Sequence, residues 1–228
     1  MQDESADGVK KSVTTTEIMP PPMGGEGVGA WLNEPAPLFR ARTTQGERGI
    51  EDYRGRWLVF FAHPADFTPV CTSEFLAFTR AYERFQALGC DLLGVSVDSL
   101  FAHIAWLASI EAQFGLRVPF PIVEDPSMII ARAYGMLRPG AMTSATVRAS
   151  FIIDPAGLIR SITWYPQSVG RSVEELLRLV AALRESDGRQ VFTPEGWMPG
   201  EPALLPPPVT MPSPGDTAWY YRLEDKHE

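Results

Sequence analysis

The chain has 228 residues, 45% of them hydrophobic and 21% charged, with a formal net charge of −8. This is the composition of a globular protein that can bury a sizeable core in one main domain with an added arm, and it excludes a chain disordered throughout. The acidic balance, the lack of any Lys/Arg block and the lack of an apolar run near the ~18 residues that span a bilayer leave neither nucleic acid nor membrane as an expected partner.

Residues 1–30, from "MQDESADGVKKSVTTTEI" to "MPPPMGGEGVGA", mix Pro, Gly and charge without periodicity, which predicts a flexible lead segment. They also lack the apolar core of a secretory signal, so a cytoplasmic protein is expected. The folded domain, 31–188, should begin near Trp31. "WLVFFA" (Trp57 to Ala62), bounded by Gly55 and Pro64, has the continuous apolar run of a buried central strand. After Cys71, the apolar spacing of Phe75, Phe78, Tyr82 and Phe85 predicts a helix from Thr72 to Leu88, with Gly89 at its C-terminal cap.

The alternation continues. "DLLGVSV" (Asp91 to Val97) predicts a second buried strand, followed by a helix capped by Asp98 or Ser99 and ending at Gly115. "FPIV" (Phe120 to Val123) and "PSMIIARAYG" (Pro126 to Gly135) repeat strand and helix in shorter form. "ASFIID" and "LIRSITW" flank the turn "PAG", a hairpin signal, and Ser172 with Glu175 forms the capping-box pattern ahead of "VEELLRLVAALRE". Together these predict an α/β fold, a mixed sheet flanked by helices on both faces. Residues 189–228 are too rich in proline for regular helix or central strand. They carry Trp197, Trp219, Tyr220 and Tyr221, which predicts an extended arm packed on its own domain or on a partner subunit.

The chemistry centres on "FFAHPADFTPVCTSEF", from Phe60 to Phe75. Two cysteines are too few for a disulfide framework, and no C-x-x-C is present, so neither a zinc site nor a dithiol motif is indicated; no metal and no cofactor are expected. Cys71 falls in the first turn of the predicted helix, where free N–H groups and the helix dipole favour the thiolate, the nucleophilic form. Thr68 can bring a hydroxyl to the same pocket, while Pro64 and Pro69 stiffen the loop and Pro64 helps to exclude water. The sulfur is expected to be open to small oxidants. Cys90 lies beyond the far end of a helix about 25 Å long, out of disulfide reach of Cys71, and is read as a small apolar residue entering a strand.

The spacing Pro64, Thr68, Cys71 in "PADFTPVC" resembles the P-x-x-x-T-x-x-C signature of the peroxiredoxins, thiol peroxidases with a thioredoxin-like fold. "GVSVDSLFAHIAW", "RVPFPIVEDPSMIIARAYGML", "VRASFIIDPAGLIR" and "YPQSVGRSVEELLRLVAALR" are similar to that family in the same order. His63 and the Pro-rich end with "LLPPPVT" are most similar to the one-cysteine-type subgroup and its archaeal and bacterial relatives. The resemblance implies that Cys71 attacks a hydroperoxide and becomes sulfenic acid, that Thr68 hydrogen-bonds the peroxide oxygens and that Pro64 shields the thiolate. It implies that Arg148 pairs with the thiolate and holds the peroxide, that Glu74 orients that arginine, and that Arg171 is a second arginine near the site. His63 would lie beside the sulfur; its competing reading is a satisfied structural histidine. His103 and Trp106 are read as structural.

With no resolving cysteine after Cys90, an external thiol is expected as reductant: a thioredoxin-like protein, glutathione or another small thiol. "GVSVDS" breaks the G-x-S-x-G pattern at Asp98, so lipase activity is not expected. The resemblance also implies a homodimer through an edge strand, or a ring of such dimers. The competing function is a redox-sensing or chaperone-like assembly on the same fold, without efficient turnover.

Overall fold

The computed structural model describes residues 17–18, 29–137, 140, 142–212 and 215–224. Apart from residues 17–18, 29 and 30, the predicted lead segment lies outside the described residues. The strands are β1 (Glu17–Ile18), β2 (Phe39–Thr43), β3 (Gly46–Gly49), β4 (Trp57–Ala62), β5 (Cys90–Ser96), β6 (Ile122–Glu124), β7 (Arg148–Ile153) and β8 (Ile159–Tyr165). The helices are α1 (Pro69–Ala87), α2 (Leu100–Phe114), α3 (Ile129–Ala133) and α4 (Val173–Arg189), with a 3-10 turn over Ile50–Tyr53. Among the described residues no helix is long and apolar enough to cross a membrane.

These eight strands form one mixed sheet in the order β1-β2-β6-β5-β4-β7-β8, with β3 paired to β2. β4, β5 and β6 run parallel, while β7 is antiparallel to β4 and to β8. Every residue of β4 is buried, as a central strand covered on both faces requires. Its side chains alternate between two cores. Trp57, Val59 and Phe61 join Phe75, Phe78 and Phe85 of α1, Trp106 and Ile110 of α2, and Leu176, Leu177 and Val180 of α4. Leu58, Phe60 and Ala62 face the opposite core with Phe39, Ile50, Ile130 and Tyr134. The predicted helices on both faces are therefore unevenly shared, three on one face and α3 with the N-terminal chain on the other.

Several boundaries shift for local reasons. α1 begins at Pro69 rather than Thr72, because proline, lacking an N–H, suits the first helical turn. α2 takes Ser99 as its cap, the hydroxyl accepting from the Ala102 N–H, and ends on Gly115 in the left-handed conformation. α3 is shorter than "PSMIIARAYG", because Met128 is left-handed at φ 58° and the buried Asp125 carboxylate accepts from the Ile129 and Ala131 N–H groups. Only half of the expected capping box forms at α4. Ser172 accepts from the Glu175 N–H, while the Glu175 carboxylate is bound by Arg178. The β2–β3 hairpin was not predicted, although "FRART" alternates buried and exposed.

The proline-rich arm folds back on α4. Trp197 is buried against Ala181 and Ala182, its indole N–H donating to the Glu201 carbonyl, and Leu204 bridges both Phe192 and Leu223. Trp219, Tyr220 and Tyr221 behave differently, remaining 38%, 69% and 57% exposed in the single chain.

Phe61 carries much of the α1-side core. Its ring stacks on Phe78 at 4.3 Å and meets Phe75 and Phe120 edge-on. Phe61→Ala should lower the unfolding free energy by about 3–5 kcal/mol, read as a fall in the urea midpoint with the slope unchanged.

Candidate active site

β4 delivers the chain to the carboxyl edge of the sheet, where the His63 N–H still bonds the Val95 carbonyl of β5. The next five residues must turn the chain into α1. Phe67 takes a left-handed φ of 55°, a strained setting for a bulky residue, while 59% exposed. Thr68 then stands at the N-cap of α1 and Pro69 in its first turn. Cys71 follows in that same turn, where the N–H groups without helical partners present a positive dipole end to its sulfur.

The antiparallel pairing of β7 with β4 brings Arg148, the first residue of β7, to the same edge. Strand alternation points Arg148 and Ile152 to the α1 side and Ala149 and Phe151 to the other. Arg148 Nη1 reaches Cys71 Sγ at 3.4 Å and Glu74 Oε2 at 2.8 Å. The other edge of the guanidinium is fixed by the Gln167 carbonyl, which accepts from Nε at 2.9 Å and Nη2 at 2.8 Å. Arg171, in the turn before α4, grips Glu74 with Nε and Nη2 at 2.9 and 2.8 Å and adds its backbone N–H at 2.7 Å. Its Nη1 donates to the Ala149 carbonyl, and its Cζ lies over the Phe61 ring.

Glu74 therefore serves both arginines, and its firmer grip is on Arg171. Burial would raise its carboxyl pKa, but the hydrogen bonds and charges of Arg171 and Arg148 outweigh burial and hold it below the usual glutamate range. Two guanidiniums and one carboxylate leave one positive charge in the cluster, 3.4 Å from the sulfur.

Four of the predicted residues are thus joined directly: Cys71, Arg148, Glu74 and Arg171. Thr68 sits one turn before Cys71, its hydroxyl donating to the Ala65 carbonyl so that its oxygen lone pairs stay available. Pro64 is buried at the start of the loop. His63 is bonded elsewhere. Its Nε2 pairs with Asp66 at 2.8 Å, its ring packs on Phe75 and Trp106, and its buried Nδ1 has no hydrogen-bond partner, sulfur included. The sulfur itself is closed rather than open, at 0% exposure, because the α1-side core surrounds it.

Two contributors were missed in the sequence. Gln167 acts through a backbone carbonyl, which no residue type announces. Asp66 stands inside the quoted motif, and His103 in α2 meets its second carboxylate oxygen at 2.7 Å. Among the described residues His63, Asp66 and His103 form the one group spaced as metal ligands, their donor atoms within 4.8 Å of one another. The two imidazole–carboxylate hydrogen bonds account for that proximity, and a metal would have to displace both.

Cys90 stands apart. Both cysteines are free thiols, and Cys90 opens β5 at the opposite end of α1, about 24 Å of helix away. Burial pushes its thiol up to about 12, which makes it inert near neutrality.

Residues 32–162 match the model of the AhpC/TSA family. The chain belongs to this family. Residues 182–211, covering the end of α4 and the start of the arm, match the C-terminal domain of 1-Cys peroxiredoxin. A peroxiredoxin of Methanosarcina mazei is 46% identical over 187 residues, covering 79% of this chain and 85% of its own. One from Aquifex aeolicus is 47% identical over 191 residues, covering 78% and 86%. Among solved structures, a yeast mitochondrial 1-Cys peroxiredoxin studied for thiol resolution through glutathione and thioredoxin systems superposes with a TM-score of 0.73 at 37% identity, covering 78% of this chain and 87% of that one. A cysteine-to-serine mutant of peroxiredoxin 6 of Arenicola marina gives 0.74 at 32%, covering 80% and 86%. The fold is the thioredoxin-like fold of the peroxiredoxins, and the chain is a peroxidase-type oxidoreductase.

The depressed Glu74 carboxyl stabilises the fold above the ordinary glutamate range and loses that contribution as pH falls through its lowered folded-state value. Glu74→Gln should cost about 3–5 kcal/mol at neutral pH by leaving Arg171 and Arg148 without a counter-charge. Urea unfolding between pH ~7 and pH ~3.5 should show this deficit shrinking in acid.

Proposed function

We propose that Cys71 is the peroxidatic cysteine of a one-cysteine peroxidase for hydrogen peroxide and small alkyl hydroperoxides. The observation that carries this reading is the placement of Arg148 Nη1 at 3.4 Å from a sulfur in the first turn of α1. The Cys71 thiolate attacks the terminal peroxide oxygen; an S–O bond forms, the O–O bond breaks, and the departing alkoxide or hydroxide takes a proton. Arg148 and the Thr68 hydroxyl hold the peroxide in line, and Arg148 with the helix dipole stabilises the charge shifting across the O–O bond. Pro64 keeps water from the sulfur. Glu74 and Arg171 hold Arg148 in place.

The resulting sulfenic acid condenses with an external thiol, releasing water and leaving a mixed disulfide, which a second thiol reduces back to Cys71. The distance to Cys90 and its raised pKa support an outside reductant, either a thioredoxin-like protein or a small thiol such as glutathione. Two free thiols fit a reducing compartment such as the cytoplasm. The exposed Trp219, Tyr220 and Tyr221 and the edge strand β8 favour a homodimer, which a ring of dimers could extend.

Peroxide consumption with dithiothreitol should vanish in Cys71→Ser and persist unchanged in Cys90→Ser. Arg148→Ala should lower the second-order rate constant for peroxide by at least about a hundredfold. Turnover surviving Cys71→Ser would remove the sulfur from the chemistry. A single stoichiometric oxidation of the wild type, without turnover, would favour the redox-sensing reading, to which the closed sulfur lends some support.

A further inference from the structure

The loop between β4 and α1 is tied down by one residue that the peroxidase mechanism does not use. Asp66 offers Oδ1 to His63 Nε2 at 2.8 Å and Oδ2 to His103 Nδ1 at 2.7 Å, and all three side chains are buried. Its backbone N–H donates to Asp98 Oδ2, which is held in turn by the Ser96 hydroxyl. Side chain and backbone of a single residue thus fasten the loop to the end of β4, to α2 and to the turn after β5. The next residue is the left-handed Phe67, and the one after it is Thr68.

The partners fix the orientation of all three side chains. His103 faces the carboxylate through Nδ1 and the Val123 carbonyl through Nε2 at 3.3 Å. Both are acceptors, so the His103 ring bridges Asp66 on the loop to β6. Burial would raise the Asp66 carboxyl, but the hydrogen bonds from His103 and His63 outweigh it, so the group remains a carboxylate. Burial lowers the pKa of His63 and keeps it neutral, with the proton on Nε2 facing Asp66 and Nδ1 bare. The cluster is a buried carboxylate, Asp66, held between two imidazoles, and it also sets the tautomer and tilt of His63.

We propose that Asp66 is a positioning residue for the Cys71 reaction: clamped between His63 and His103, it fixes the 64–68 loop so that the Thr68 hydroxyl meets the incoming peroxide in line with the sulfur. The proposal rests on the peroxidase reading of Cys71. A strained residue immediately before the Thr68 cap would otherwise relax, and Thr68 would move with it. Placement errors of about 1 Å can cost about a hundredfold in rate.

The test compares two reactions at the same sulfur. Oxidation by hydrogen peroxide needs an aligned Thr68, whereas alkylation by iodoacetamide needs only a nucleophilic thiolate. Asp66→Ala should slow Cys71 oxidation by about tenfold to a hundredfold while alkylation stays within about threefold of wild type or quickens. Asp66→Asn should retain the oxidation rate within about fivefold, because its carbonyl can accept from His63 and its amide can donate to Nδ1 of a neutral His103. His103→Phe, which keeps the ring volume and cuts the α2 tether, should fall between them, and it carries the same pair of measurements if Asp66→Ala does not fold. A wild type that does not react with peroxide overturns the peroxidase reading, and the clamp with it. Given a reactive wild type, the clamp alone is overturned by oxidation of Asp66→Ala at the wild-type rate, by a parallel fall in both reactions, or by Asp66→Asn as slow as Asp66→Ala.

Discussion

A single buried carboxylate, Glu74, holds this site together. Burying two guanidiniums without a counter-charge would cost far more than the fold could spare, and Glu74 makes the burial of Arg148 and Arg171 tolerable by binding both. Because it lies one turn after Cys71 on α1, the same helix that carries the sulfur also carries the anchor for the cation beside it. Because Arg171 also bonds the Ala149 carbonyl, the anchor reaches back into β7, the strand that supplies Arg148. Helix, strand and turn are thus locked in register around one oxygen pair, and the distance between Arg148 and Cys71 follows from that lock.

The packing behind the lock has the same economy. Phe61 sits under Arg171 and against Phe75 and Phe78, so the aromatic core of the α1 face is also the floor of the charged cluster. On the other side of the loop, Asp66 repeats the pattern on a smaller scale, a carboxylate between two basic side chains. The stretch from His63 to Glu74 therefore hangs between two buried carboxylates, one fixing the loop and the other fixing the cation.

Much of this was legible in the chain. The strand–loop–helix reading of "WLVFFAHPADFTPVC" placed Cys71 in a first helical turn because continuous apolar character, two prolines and a period of aromatics each point the same way. Arg148, Glu74 and Arg171 were identified through resemblance, since spacing cannot reveal that residues 74 apart meet. The closed state of the sulfur was not foreseen, because burial of a small side chain depends on how three helices pack on one sheet face. The sequence leaves His63 either beside the sulfur or as a satisfied structural histidine, and its bond goes to Asp66; a histidine's partner is set by the direction of its ring, which a sequence does not record. The β2–β3 hairpin was missed although its alternation is plain, and Gln167 was beyond reach because it contributes a carbonyl.

The charge left over in the Arg148–Glu74–Arg171 cluster has a further consequence under the proposed cycle. While the sulfur is an anion, the pocket is electrically balanced; once it becomes a neutral sulfenic acid, one cationic charge stands unmatched in a water-poor interior. The oxidised pocket then attracts an incoming thiolate more strongly than the reduced pocket does. Each half of the cycle prepares the electrostatics of the other, with peroxide met by a balanced site and the reductant drawn in by its loss of balance.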